Sequence, residues 1–247
     1  MKTLWLMYKT EAKLSIREFS SVLFGVLMPV GLMLLLGVLY GGAALEGNAA
    51  IRKVDMSFAA VASIGICAAG LMGLPIALSD YRWRKILKRY KVTPASPLML
   101  LSAHVLFSLT LSILSSVLVY AVCALFFGFQ LQGSFGTFLA VYLLVLLSIH
   151  AIGMAIAGLA KSAQMGGILA SAFYFPMLFL SGATIPYEIM PKALQTVADF
   201  LPLTQGIKLL KAASLHQDLS SMLFSFILLG VIAVLGTGIS LKFFRWE

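Results

Sequence analysis

The eleven residues from Tyr81 to Lys91, YRWRKILKRYK, hold six of the chain's 18 lysines and arginines and no acidic residue. Within them Trp83, Ile86, Leu87 and Tyr90 recur at i, i+3, i+4 and i+7, the spacing of one face of an α-helix. An apolar ridge flanked by cations can orient a membrane chain, hold anionic headgroups or dock on a partner with an acid-rimmed groove. Nucleic-acid recognition fits poorly, because long apolar runs bound the segment and no soluble fold presents it to a groove. Pro94 predicts where this helix stops, since the residue before a proline is pushed away from helical angles.

Catalytic chemistry has little to work with elsewhere. The chain contains no HExxH, no GxSxG, no paired carboxylate and no Gly-Lys dipeptide. Metalloprotease, serine-hydrolase and P-loop readings therefore all lack their residues, and no catalytic or metal-ligating residue is expected. Ser181 with a histidine is the nearest approach to an intramembrane hydrolase. His150 is central to an apolar run and His104 stands near the start of another; a lone helical histidine reads first as a hydrogen-bonded packing residue. Cys67 and Cys123 lie inside apolar runs with no CxxC or Cys/His cluster and read as small buried hydrophobes.

The elements that must position these residues follow from composition. Of the 247 residues 61% are hydrophobic and only 11% charged, and the mean hydropathy is +1.01. Soluble domains carry roughly a quarter charged residues, so the chain reads as an all-α integral membrane protein, one domain over 1–247. A helix needs about twenty apolar residues to cross a bilayer. Runs of that kind are Phe19 to Leu45, Met56 to Ser79, Val92 to Ala160, Ser162 to Tyr187 and Leu219 to Leu241. The third is divided by the polar, glycine-rich Gly128 to Gly136, which makes six spans. Its entry carries Ser96 as a predicted N-cap and Pro97 at the first helical position. No run has an Asp, Glu, Lys or Arg within it, whereas ion-coupled carriers generally keep ionisable or unwound polar sites at mid-membrane.

With six spans both termini fall on one side. Thirteen cations lie on that side, including the six of the opening segment, against Arg52, Lys53, Lys192, Lys208 and Lys211 on the other. The positive-inside rule makes the thirteen cytoplasmic. No cleavable leader is expected, because Glu11 and Glu18 precede the first apolar run. Near the N-terminus Trp5, Tyr8, Ala12, Ile16 and Phe19 share a helical face beside Lys9, Lys13 and Arg17, the pattern of a helix lying at the membrane surface. Between spans five and six, Glu188 to Asp218 predicts two helices of about ten residues, the second capped by Thr204. They are too short to span and too apolar for open solvent, which points to re-entrant or interfacial pieces. Gly37-Val38-Leu39-Tyr40-Gly41 has the small-xxx-small spacing of helix contacts.

Four features in order resemble the type-2 ABC transporter permeases, and in particular their drug-exporter-like bacterial branch. They are the amphipathic N-terminal helix, six spans, "KRYKVTPASP" after span two, and "FLSGATIPYEIMPKALQTVADFLPLTQGIKLLK" after span five. Phe179-Leu180-Ser181-Gly182, Pro186, Pro191 and Leu201-Pro202-Leu203-Thr204 carry the likeness most specifically. The resemblance implies the membrane subunit of an ATP-driven exporter in the bacterial inner membrane, both termini cytoplasmic. It would pair with a second permease copy and with two copies of an ATP-binding subunit, and touch membrane lipid but not nucleic acid. ATP and magnesium would reside in the ATP-binding subunit, with no cofactor in this chain. A cytoplasmic coupling helix would use Arg82, Trp83, Arg84, Leu87, Lys88 and Tyr90. Spans two and five would line the path, with Met72, Phe173, Phe175 and Phe179 as candidates. Drugs, peptides, lipids or other amphiphiles are the implied cargo. The alternative is an ion- or proton-coupled carrier or a membrane scaffold, which would need no ATPase partner.

Overall fold

The computed structural model describes residues 2–17, 22–40, 44–45, 48–86, 97–185, 187 and 190–243. It begins with α1 (Lys2–Arg17), followed by α2 (Leu23–Tyr40), a two-stranded ribbon of β1 (Ala44–Leu45) and β2 (Asn48–Arg52), and α3 (Lys53–Trp83). Then come α4 (Pro97–Phe127), α5 (Phe135–Leu159), α6 (Ala163–Leu180), α7 (Lys192–Asp199), α8 (Pro202–Ser214) and α9 (Leu223–Phe243). Among the described residues six helices are long and apolar enough to cross a membrane, namely α2 to α6 and α9. They are spans one to six. The antiparallel ribbon, absent from the sequence expectation, joins spans one and two.

Span two is the most enclosed of the six. It packs on spans one, three, four and five and on α8, and Phe58, Ile64, Ile66, Leu71, Leu74 and Leu78 are fully buried along it. Small residues permit this crowding. A β-carbon on Gly153 of span four would run into the Gly70 carbonyl oxygen, and one on Gly65 into the Ser115 hydroxyl of span three. Near its middle, Ala68–Gly73 widens into a π-helical turn, a local distortion often found at functional positions. Spans four and six form the other tight pair. Ser148 donates to the Leu229 carbonyl at 2.9 Å, and Gly236 lies so close to Ala151 that a side chain there would strike its backbone.

Helix ends follow local chemistry. Span three starts at Pro97, as its missing N–H allows, and stops where Gly128 takes a φ of 64°, a conformation that suits glycine. Ser162 accepts from the Met165 N–H and caps span five. The two helices between spans five and six differ sharply. α7 has only Ala198 buried, whereas α8 is buried along nearly its whole length between spans two, four, five and six. Thr204 does not cap α8: the helix begins at Pro202, with Leu201 before it, since proline at a first helical position sets the start earlier.

Candidate functional site

Five elements meet around one cleft. Span two supplies Ala68, Ala69, Met72, Gly73, Ile76 and Asp80, and span five supplies Tyr174, Phe175 and Leu178. Phe24 and Met28 of span one and Leu111 of span three complete an apolar wall. At the end where α1 meets the last turn of span two and the first turns of span three, the lining turns polar: Ser15, Asp80, Tyr81, His104 and Ser108. The cavity holds about 580 Å³, within the range of small-ligand sites. An apolar body with one polar end is a shape that suits an amphiphile.

The polar end is built by long-range hydrogen bonds. Glu11 of α1, only 3% exposed, accepts from the Tyr81 hydroxyl at 2.7 Å and lies 3.0 Å from His104 Nδ1. One turn deeper, the Ser108 hydroxyl lies 3.1 Å from His150 Nε2 and 3.0 Å from the Ala69 carbonyl of the π-helical turn, and its one proton can serve either acceptor. His150 Nδ1 faces the Leu146 carbonyl at 2.8 Å. A neutral imidazole with its proton on Nδ1 satisfies both contacts, which makes His150 the hydrogen-bonded packing residue its isolation suggested.

Each residue singled out from the sequence has a definite place or falls outside the description. Met72 and Phe175 line the cleft. Phe179 stacks on Phe175 with ring centroids 6.4 Å apart. Phe173, two residues from Phe175, projects from a different face of the helix and is not brought into that group. The expected single helix across Tyr81–Lys91 does not form. Tyr81 to Trp83 are the last residues of span two, and Arg84 and Lys85 form a turn. Lys85 has a φ of 56°, which places it in the left-handed region that ends helices. Trp83 and Ile86 therefore do not share one unbroken ridge. Trp83 is exposed; Leu87, Lys88 and Tyr90 lie outside the described residues.

The basic residues of that turn are occupied in ways their spacing did not announce. Arg82 reaches across to span four, donating to the Ala160 carbonyl and, at 3.0 Å, to that of Ala157. It thereby caps a helix C-terminus, where carbonyls are unpaired and the dipole favours a cation. Arg84 pairs with Asp80 at 2.8 Å. Arg52 does the same work at the opposite end of span two, donating to the carbonyls of Phe127 and Gly128 while holding Asp55 with Nε and Nη2. Hydrogen bonding to Asp55 raises the Arg52 pKa further, so this guanidinium stays charged. The Arg-x-x-Asp spacing at the head of a span was the available signal for this pair. For Glu11 and Ser15 the signal was weaker, an i, i+4, i+8 row with Met7.

Beyond the far end of span five, α7 and α8 are tied by a second network. Asp199 accepts from Tyr187 at 2.8 Å and from Lys208 at 2.6 Å, with Lys208 over the Tyr187 ring. Gln205 donates to the Asp199 carbonyl and accepts from Ser225 of span six. Burial pushes the Asp199 pKa up, but the hydrogen bonds from Lys208 and Tyr187 outweigh it and leave it below the ordinary value.

Comparison with known proteins decides what kind of membrane protein this is. The family model described as ABC-2 type transporter matches residues 2–215, from α1 to the end of α8. The chain belongs to the ABC-2 type transporter family. A stretch of 76 residues is also 36% identical to nodulation protein J of Rhizobium leguminosarum bv. viciae. That stretch spans 31% of this chain and 29% of the relative. The chain is thus a multi-pass membrane permease.

Proposed function

We propose that this permease is the transmembrane half of an ATP-driven exporter, working as a dimer with two ATP-binding subunits that hold ATP and magnesium. In this reading it sits in a bacterial inner membrane with both termini in the cytoplasm. Amphiphiles, including drugs, peptides and lipids, enter the cleft between spans one, two, three and five and leave on the side of α7 and α8. The observation that supports an amphiphile most directly is the cavity itself, apolar along Met28, Met72 and Phe175 and polar at Ser15, Asp80 and His104. Chemistry of that kind positions a headgroup and an apolar body together.

The basic segment after span two is the proposed docking element for the ATP-binding subunit. Trp83 stands exposed at its start, as an anchor for a partner groove must, and truncating such an anchor typically costs about 2 kcal/mol or more. Rim cations chiefly tune encounter. Trp83→Ala or Leu87→Asp should detach or uncouple the ATP-binding subunit while insertion is retained, and Lys88→Gln should be mild. The test is co-purification with that subunit, followed by ATP hydrolysis in proteoliposomes with and without a fluorescent short-chain phospholipid. Stimulated hydrolysis and movement of the probe support the proposal. Export driven by an ion gradient with no ATP-binding subunit present would replace it with a secondary carrier.

A further inference from the structure

A carboxylate buried on an interfacial helix is costly unless its partners satisfy it, and Glu11 of α1 is drawn inward by the fold. The helix turns Met7, Glu11 and Ser15 toward the protein while Trp5 and Ile16 remain exposed. Met7 packs with Leu74 and Leu78 of span two and with Leu100 and Ala103 of span three. Tyr8 sets its ring against Trp5 at 5.4 Å and Phe107 at 6.4 Å. In the middle of this contact, Glu11 Oε2 holds both Tyr81 and His104, whose rings meet edge to face at 5.6 Å. Tyr81 and His104 belong to the cavity lining, and Glu11 stands behind them. Tyr81 also directly precedes Arg82, which caps span four, and the turn at Arg84 and Lys85.

We propose that Glu11 is a positioning residue: by holding Tyr81 and His104 together it locks α1 to spans two and three and sets the shape of the polar end of the cavity. A displacement of the turn after span two then reaches the cavity and α1 at once. The transport consequence rests on the exporter reading above; the locking does not.

Two measurements on the full chain in lipid nanodiscs and in complex with its ATP-binding subunits test this. The first is the rate at which a water-soluble maleimide labels a Ser15→Cys thiol; the native Cys67 and Cys123 are buried and serve as an unreactive background. Glu11→Ala should raise the rate about tenfold, the equivalent of one lost buried hydrogen bond. Glu11→Gln, whose carbonyl oxygen can take the place of Oε2 and accept from both the Tyr81 hydroxyl and a His104 Nδ1–H, should restore the slow rate, and Tyr81→Phe should fall between. The second is ATP-dependent movement of a fluorescent short-chain phospholipid, where Glu11→Ala should raise KM about tenfold with a smaller change in kcat, again restored by Gln. Unchanged labelling in Glu11→Ala overturns the lock. Faster labelling with unaltered KM overturns its role in the cavity. If the wild-type complex moves no probe, the exporter reading fails and the labelling series still decides the lock.

Discussion

Span two is held at both ends by an arginine laid across the C-terminus of a neighbouring helix, yet the two ends are built differently. Arg52 carries its own carboxylate: Asp55, one turn into the helix and 5% exposed, takes its backbone N–H, Nε and Nη2. The same guanidinium caps span three at Phe127 and Gly128. Cap and ion pair are one closed unit there. At the other end they are divided. Arg82 caps span four, while the nearby carboxylate, Asp80, takes Arg84, an exposed residue next to the left-handed Lys85. Buried pairs with every lone pair used resist change strongly, whereas exposed pairs contribute little. One end of span two is therefore a fixed anchor, and the other is where a force from outside the bundle can act on it.

The comparison can be broken at the anchor first. Asp55→Asn should lower stability by about 3 kcal/mol, because it leaves the Arg52 charge half-buried without its partner; a thermal melt in detergent measures it. A change at Asp55 no larger than one at Asp80 would erase the asymmetry. Arg82→Gln should cost about 1–2 kcal/mol by uncapping span four, and hydrogen exchange at the end of that helix, around Ala157 to Ala160, should quicken without a matching change around Phe127. Arg84→Ala should change stability by less than about 0.5 kcal/mol, and the same melt sets it against the first two.

The smallest effect concerns a third fastening, on the side of the anchor. Because the Asp199 pKa is depressed in the folded protein, its contribution is fully present above the ordinary value of 3.8 and is lost as pH falls through the lower folded value. Acidifying from pH 5 to about 3 should therefore lower the protection of the α7 amides relative to their intrinsic exchange rates at each pH, and Asp199→Asn should abolish that loss of protection. A pH response unchanged in the Asn variant would assign it to another group.

How much could be read in advance differs from residue to residue. The six spans were legible because hydropathy over about twenty residues is a long, redundant signal, and Pro97 and Gly128 mark ends whose backbone chemistry is local. The break at Lys85 was not, because a non-glycine residue at positive φ leaves no mark on periodicity, and the four apolar residues from Trp83 to Tyr90 spelled an unbroken helix. On α1 the apolar row through Trp5 and Ile16 was visible, but these residues are exposed and the row packed inward contains Glu11 and Ser15. An acid is drawn inward only when partners far along the chain, here Tyr81 and His104, satisfy it.

Composition and spacing alone determined the solvent, the number of crossings and the expected side of each loop, while motifs in order carried the resemblance to a transporter family. All of these depend on transfer free energies or on motifs summed along the chain, which need no knowledge of neighbours. The tertiary structure decided which arginines cap which helices, that Met72 and Phe175 share a cavity while Phe173 does not, and that α8 is buried while α7 is not. Those outcomes rest on contacts such as Gly70 with Gly153 and Glu11 with His104, between residues 83 and 93 positions apart. Their partners are chosen by packing in three dimensions, and no local pattern in the chain encodes that choice.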